Sequence, residues 1–252
     1  MSVSEKSVHE LPNLVSLLAD KLPGKPAGYL FLFENIVFSL IIILVILIVT
    51  FLALRKKKFI PAGLQNLVEL FVEGVDDFVC GILGAKGRKY TPFIGTLFIY
   101  ILFMNLMGLV PFLKSPTSSW STTLGLALCV FFYVQYSAFK ELGFVGYLDH
   151  LAGKPRGLLA FSVVIPILLF FIHIITELVR PISLSLRLRS NIWGDDFLLT
   201  VMAGFGLKSV PLLVFNTFLA IIAGVVQAVV FCLLTTIYFA LIIEHNEEPE
   251  RA

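Results

Sequence analysis

Residues 173–196 have the sequence HIITELVRPISLSLRLRSNIWGDD, in which charged side chains recur inside an otherwise apolar segment. At about 100° per residue, one face of a helix over this stretch collects most of its polar groups, while the other face is mostly Ile, Leu and Val. The pattern predicts a long helix with a polar stripe. The side chains of the stripe are His173, Glu177, Arg180, Ser183, Arg187, Asn191 and Asp195, whereas Arg189 and Asp196 fall on the opposite face.

The composition of the whole chain predicts that this helix lies in a membrane. Hydrophobic residues make up 58% of the 252 residues and charged residues only 14%. A soluble domain has about 45–50% apolar and about 25% charged residues. The charges are also clustered, which leaves long uncharged segments. The net charge of +2 and the lack of a basic stripe do not indicate a nucleic-acid partner.

Crossing a bilayer takes about 20 apolar residues in a helix. On this basis we predict an all-α integral membrane protein with about five crossings and one interfacial amphipathic helix. Two segments, 158–205 and 212–243, are longer than a perpendicular crossing needs, so we expect them to be tilted, with Pro166 and Pro181 as candidate kinks. The predicted divisions are an external N-terminal segment 1–35, a first transmembrane helix 36–54, a cytoplasmic-side amphipathic helix 62–83, a transmembrane hairpin 90–139, a long tilted helical hairpin 158–243 that carries the polar stripe, and a cytoplasmic tail 244–252.

Basic residues predict the orientation. The run from Arg55 to Lys58 follows the first crossing directly, and the positive-inside rule places it in the cytoplasm. The N-terminus is then outside and, after five crossings, the C-terminus is cytoplasmic. Segment 62–83 combines helical apolar spacing with several acidic residues, which is typical of a helix lying in the membrane interface. A short soluble-like helix packed on a partner is the alternative for this segment.

Charges inside a membrane need partners. A charged group at the bilayer centre costs about 2.5–3.5 kcal/mol on insertion scales, so the stripe must face water, another protein or its own groups. Glu177 and Arg180 are three residues apart and can form a structural ion pair, an alternative to a role in proton transfer. Arg187 has no acid three or four residues away on either side. We therefore expect its counter-charge to come from another chain.

Three segments resemble one family. The run RPISLSLRLRSN at 180–191 closely resembles the signature of the F-type ATP synthase a subunit, the ATPase A chain family. The segments FMNLMGLVP at 103–111 and QAVVFCLLTTIY at 227–238 resemble the same family, and the order and spacing match over residues 30–248. The chain departs from the family pattern at Arg189 and Ser190, where many members have Phe and Gly. Further departures are Ser119 and Ser121, where Asn is frequent, and Ala220, where some members have His.

The resemblance implies a proton-translocating subunit that offers two aqueous half-channels to a c-subunit ring. Arg187 matches the essential arginine that faces the acidic residue of each c subunit. The implied partners are the c-ring, the b subunits of the peripheral stalk, the rest of the ATP synthase and membrane lipid. Together, the stripe and the resemblance select Arg187, Asn191, Asp195, Asp196, Gln227, His173 and Glu177 for proton translocation, with Asn105, Arg180, Ser183 and Tyr238 as a secondary polar lining.

Two other functions are compatible with the stripe. A stand-alone secondary transporter or channel would use the same groups without co-purifying subunits, and a structural scaffold would tolerate neutralisation of Arg187, Asp195 and Asp196 together. The chain has no Walker A pattern, so we expect no ATP binding, no cofactor, no metal and no enzymatic activity of its own. We expect a bacterial cell membrane and protons as the coupling ion, with sodium left open.

Overall fold

The computed structural model describes residues 26–55, 63–110, 115–152, 161–205 and 209–247. No strand occurs in these ranges, and the all-α prediction is confirmed. Short 3-10 helices at Ala85–Tyr90 and Pro116–Ser118 precede the third and fourth α-helices. The α-helices are α1 (Pro26–Leu54), α2 (Leu64–Leu83), α3 (Thr91–Met107), α4 (Trp120–Ala152), α5 (Phe161–Ala203) and α6 (Val210–Glu247).

Five of these helices are long and apolar enough to cross a membrane, as predicted. The exception is α2, an amphipathic helix whose polar side carries Glu69, Glu73, Asp76 and Asp77. At 1.5 Å per residue, the 43 residues of α5 extend about 65 Å, against about 30 Å of hydrocarbon, which supports the expected tilt. The candidate spans are Asn35–Ala53, Ala85–Met107, Trp120–Glu141, Ile167–Met202 and Val210–Ile242.

Some boundaries differ from those predicted. Helix α1 begins at Pro26 rather than at Ile36, and α4 continues to Ala152 rather than ending at Phe139. Within α4, Gly143 has φ 70° and ψ 172°, so the helix breaks there and resumes. A residue without a Cβ adopts this positive φ at little cost. Helix α5 is continuous through Pro166 and Pro181.

Several predictions concern residues outside the described ranges. These are most of the external N-terminal segment (1–25), the basic residues 56–58, the start of the long hairpin (158–160), its turn (206–208) and the end of the tail (248–252). Helix α5 ends at Ala203 and α6 begins at Val210, so a turn separates them as predicted.

The core lies where α3, α4 and α6 meet, with α2 and α5 packed at its sides. Its centre is aromatic: the ring of Phe239 is fully buried and stacks on Tyr90 at 4.2 Å between centroids. Phe93 stacks on Tyr133, also at 4.2 Å. Close approach of α3 and α6 depends on Gly224, because a Cβ added there would lie 3.3 Å from the Cβ of Asn105.

Polar contacts fix the corner between α2 and α3. The guanidinium of Arg88 donates to Oδ2 of Asp76 at 2.8 Å, and the hydroxyl of Thr91 donates to Oδ1 at 2.8 Å. These donors, Arg88 above all, hold the pKa of the Asp76 carboxyl below its ordinary value. On the α4 side, Lys89 and Tyr90 both donate to Glu141. The loop before α3 is thereby tied to two other helices.

The outer surface of the crossing helices is apolar. Leu40, Leu47 and Phe51 of α1 are between 58% and 67% exposed. Helices α5 and α6 also present rows of exposed Ile, Leu, Val and Phe. An apolar surface this extensive is stable only against lipid or another apolar protein surface.

Candidate functional site

The polar stripe lies at the edge of the packed face of α5. That face consists of Pro181, Leu184, Ser185, Leu188 and Ile192, all of which are buried. At about 100° per residue its centre is roughly 110° from Arg187. The polar stripe is therefore partly turned toward α4 and α6, and Arg187 is at its outer edge.

Arg187 is exposed and has no hydrogen bond or ion pair with any of the residues that the structure describes. Ser183 and Ser190, one turn away on either side, are also exposed, and the exposed apolar face of α5 that includes Leu186, 41% exposed, begins beside them. A guanidinium keeps its charge at physiological pH. The arrangement therefore presents a positive charge beside an exposed apolar face of α5.

Glu177 and Arg180 form the ion pair that the sequence left as an alternative. Nη1 of Arg180 donates to Oε1 of Glu177, and both side chains are largely buried. Gln135 of α4 donates to the other carboxylate oxygen at 2.8 Å. The guanidinium of Arg180 also lies 4.8 Å from the ring centroid of Tyr238 on α6. Three helices therefore meet at this pair, and Tyr238 is part of the polar lining beside it.

The contact between Arg180 and Tyr238 gives the register of the antiparallel α5–α6 pair. Eleven residues further along α5 is Asn191, and eleven residues back along α6 is Gln227. Eleven residues make close to three full helical turns, so Asn191 lies on the same face of α5 as Arg180, and Gln227 lies on the same face of α6 as Tyr238. Because the two helices are antiparallel, the two amides are at the same height along the helix pair. The amide nitrogens of both are buried and have no hydrogen-bond partner among the described residues. Two amides that matched the resemblance are thus brought to one level of the hairpin.

Asn105 is buried against the same part of α6. Its amide donates to the carbonyl of Gly224 at 3.2 Å, three residues before Gln227. The Thr117 hydroxyl approaches the Asn105 carbonyl oxygen at 3.4 Å, and Thr117 and Ser115 share a hydrogen bond of 2.6 Å. Polar groups therefore continue from α6 through α3 to the segment before α4.

The remaining predicted residues occupy both ends of the stripe. His173 is half-buried, with Nδ1 3.0 Å from the carbonyl oxygen of Leu169. Asp195 and Asp196 are half-buried, and Ser183 is exposed near Arg187. The structure thus places Glu177, Arg180 and Tyr238 in one cluster, with His173 close enough to interact electrostatically with Glu177, and it places the aspartates away from that cluster.

The unusual Arg189 has a partner on α4. Its guanidinium lies 5.2 Å from the ring centroid of Trp120, a distance typical of cation–π contact. As the helical wheel predicts, Arg189 points away from the stripe. Its charge is therefore directed to the start of α4 rather than toward the side where Arg187 is exposed.

Sequence reasoning missed three polar residues. Gln135 and Tyr147 join the Glu177 cluster from α4, and no local pattern could assign them because their partners are distant in sequence. Asn216 is buried, with an amide nitrogen that has no partner in the described part of the chain. It precedes Gln227 by eleven residues and so lies on the same face of α6. That spacing was the available signal.

The fold and the site define a multi-pass membrane protein in which a long helical hairpin carries a polar stripe and an exposed arginine. A family model described as ATP synthase A chain matches residues 36–240. The chain therefore belongs to the ATP synthase A chain family. The ATP synthase subunit a of Protochlamydia amoebophila (strain UWE25) is 39% identical over 247 residues, covering 94% of this chain and 90% of that protein. The proteins of the same name from Helicobacter pylori (strain Shi470) and Helicobacter acinonychis (strain Sheeba) are each 39% identical over 189 residues, covering 75% of this chain and 80% of theirs.

Proposed function

We propose that this chain is the proton-translocating stator of an F-type ATP synthase. It offers two offset aqueous half-channels to a ring of c subunits and is held by the b subunits of the peripheral stalk. The observation that supports this most directly is Arg187, exposed beside an apolar face of α5 and without an ion pair among the described residues. An acid carried past it by a rotating ring supplies the missing counter-charge.

The arginine couples proton flow to rotation by electrostatics. A ring carboxylate is neutral while it faces lipid, and near Arg187 its ionised form is favoured by Coulomb attraction in a region of low dielectric constant. Because the guanidinium does not release its proton, it cannot pass protons from one half-channel to the other. Each proton that enters on one side must travel with the ring before it leaves on the other. A membrane potential contributes about 2.3 kcal/mol per charge per 100 mV to this movement.

The polar groups of the hairpin suggest where the two paths run. Asn105, Thr117, Asn216 and Gln227 belong to the half near the α5–α6 turn, and we assign them with Asn191, Asp195 and Asp196 to the outer path. His173, Glu177 and Tyr238 lie toward the other end of the hairpin, and we assign them to the inner path. The orientation follows from the basic residues, with the N-terminus outside and the C-terminus in the cytoplasm of a bacterial cell.

The experiment is ATP-driven proton pumping by the complex reconstituted with Arg187→Ala or Arg187→Lys. We expect Ala to abolish pumping, and Lys to reduce it strongly because a compact ammonium lacks the planar fork of a guanidinium. Arg189→Gln is the matched control, since it removes an arginine two residues away that stacks on Trp120. Normal pumping by the Arg187→Ala complex would contradict the proposal. Co-purification of the other subunits separates it from a stand-alone transporter.

A further inference from the structure

A chain of hydrogen bonds leads from α4 to Glu177. The Tyr147 hydroxyl donates to the side-chain oxygen Oε1 of Gln135 at 2.7 Å, and the side-chain nitrogen Nε2 of Gln135 donates to Oε2 of Glu177 at 2.8 Å. The other oxygen of the carboxylate accepts from Arg180. Both oxygens of Glu177 therefore have donors, one from its own helix and one from a neighbour.

The hydroxyl of Tyr147 determines which end of the Gln135 amide faces Glu177. An ionised carboxylate only accepts hydrogen bonds, so a flipped amide would place its carbonyl oxygen against negative charge. A phenol that donates to the amide carbonyl holds the amide with its NH2 group toward Glu177. Tyr147 therefore acts on Glu177 through Gln135.

The break at Gly143 is what allows Tyr147 to reach Gln135. Twelve residues of uninterrupted helix would separate the two by about 18 Å along the axis. At Gly143 the backbone leaves the helical conformation, with φ 70° and ψ 172°. The following segment returns along α4, and the ring of Tyr147 contacts that of Phe139 at 4.4 Å between centroids. A glycine at one position thus brings a phenol to the polar cluster.

We propose that Gln135 and Tyr147 are positioning residues that orient the Glu177 carboxylate and favour its ionised form within the inner half-channel. This inference rests on the proposed function, because it assigns residues to one of its two paths. A carboxylate with donors on both oxygens is a poor resting place for a proton, so a proton that reaches it moves on. The other titratable or charged groups around Glu177 are His173 and Arg180 on α5 and Tyr238 on α6.

The test is the pH profile of ATP-driven pumping in vesicles whose cytoplasmic face is outward, which gives direct control of the pH at the inner path. Tyr147→Phe removes one oxygen and frees the Gln135 amide to turn. Loss of a hydrogen bond to an ionised group corresponds to about 1 pH unit or more. We expect the acidic limb of the profile to move to higher pH by about this amount, and Gln135→Leu to shift it at least as far. Tyr136→Phe, on the exposed side of α4, is the matched control and leaves the profile unchanged.

Two outcomes would overturn the inference. One is a pumping rate that falls equally at all pH values in Tyr147→Phe, since that indicates a purely structural contact. The other is an identical shift in a Glu177→Gln background, since Tyr147 would then act on another group. Pumping by Arg187→Ala in the same vesicles tests the proposed function independently of the positioning role. If that variant is inactive while Tyr147→Phe shows no shift, only the positioning role is wrong.

Discussion

The approach of α3 to α6 at Gly224 allows one perturbation to be worked out in detail. In Gly224→Leu, the new Cβ lies 3.3 Å from the Cβ of Asn105, and the rest of the side chain has to occupy the helix contact. Overpacking of this kind costs about 1–3 kcal/mol. The hydrogen bond from Asn105 to the Gly224 carbonyl breaks when the helices separate, and such bonds in membranes contribute about 0.6–2 kcal/mol. The expected loss of stability is therefore about 2–5 kcal/mol.

Smaller side chains should cost much less. Gly224→Ala brings the same Cβ contact, which needs a shift of a few tenths of an ångström. Alanine also stabilises a helix by about 1 kcal/mol relative to glycine, so the two effects nearly cancel. The size of the residue at this position, rather than the loss of glycine, determines the outcome.

The assay is the midpoint temperature of thermal unfolding, Tm, for the purified complex in mild detergent. Unfolding is monitored as the loss of the ordered subunit. For a chain of this length, 1 kcal/mol corresponds to about 2–4 °C, so Gly224→Leu should lower Tm by roughly 4–20 °C. Gly125→Leu is the matched control, because a Cβ there meets nothing within 4 Å. Equal midpoints for the two leucine variants would refute the packing argument. Pumping should fall only in Gly224→Leu, since Gln227 is one turn away.

Three further changes test other parts of the structure. The pKa of Asp76 in the folded protein is below its ordinary value of 3.8. The stabilisation from its contact with Arg88 is therefore fully present above that pH and is lost as pH falls through the folded pKa. On acidification below about pH 4, the Tm of Asp76→Asn should therefore decrease less than the Tm of the unmutated protein. Gly143→Ala places a side chain at φ 70°, and the strain of about 1–2 kcal/mol should appear as faster proteolysis near the end of α4. Phe239→Ala empties a fully buried site and should cost about 3–5 kcal/mol in thermal unfolding, whereas Phe218→Ala, 60% exposed, should cost far less.

The sequence predicted the membrane spans well because its signals are local. Uncharged apolar segments predicted five crossings, and the acidic residues of α2 set that helix apart. The candidate span that begins at Asn35 agrees with the predicted crossing from Ile36, whereas the helix α1 itself begins earlier, at Pro26. Apolar length identifies the part of a helix that is long enough to span a bilayer, and it does not report how far the helix continues beyond it.

The polar stripe was predictable for a similar reason, and its contacts were not. Helical spacing on one segment placed Glu177, Arg180 and Arg187 on one side of α5. The donor to Glu177 comes from Gln135, which is 42 residues earlier in the chain, and it reaches the cluster only through the packing of α4 on α5. The break at Gly143 was also missed, because the predicted hairpin ended at residue 139, before this glycine.

The exposed apolar face beside Arg187 has a mechanical consequence for the proposed function. Contacts between hydrocarbon groups are non-directional, so the proposed ring of c subunits would exchange one neighbour for the next along this face with little change in energy. In the proposed function, the ring would therefore interact strongly with this subunit once for each acid that passes Arg187, and only weakly between those positions.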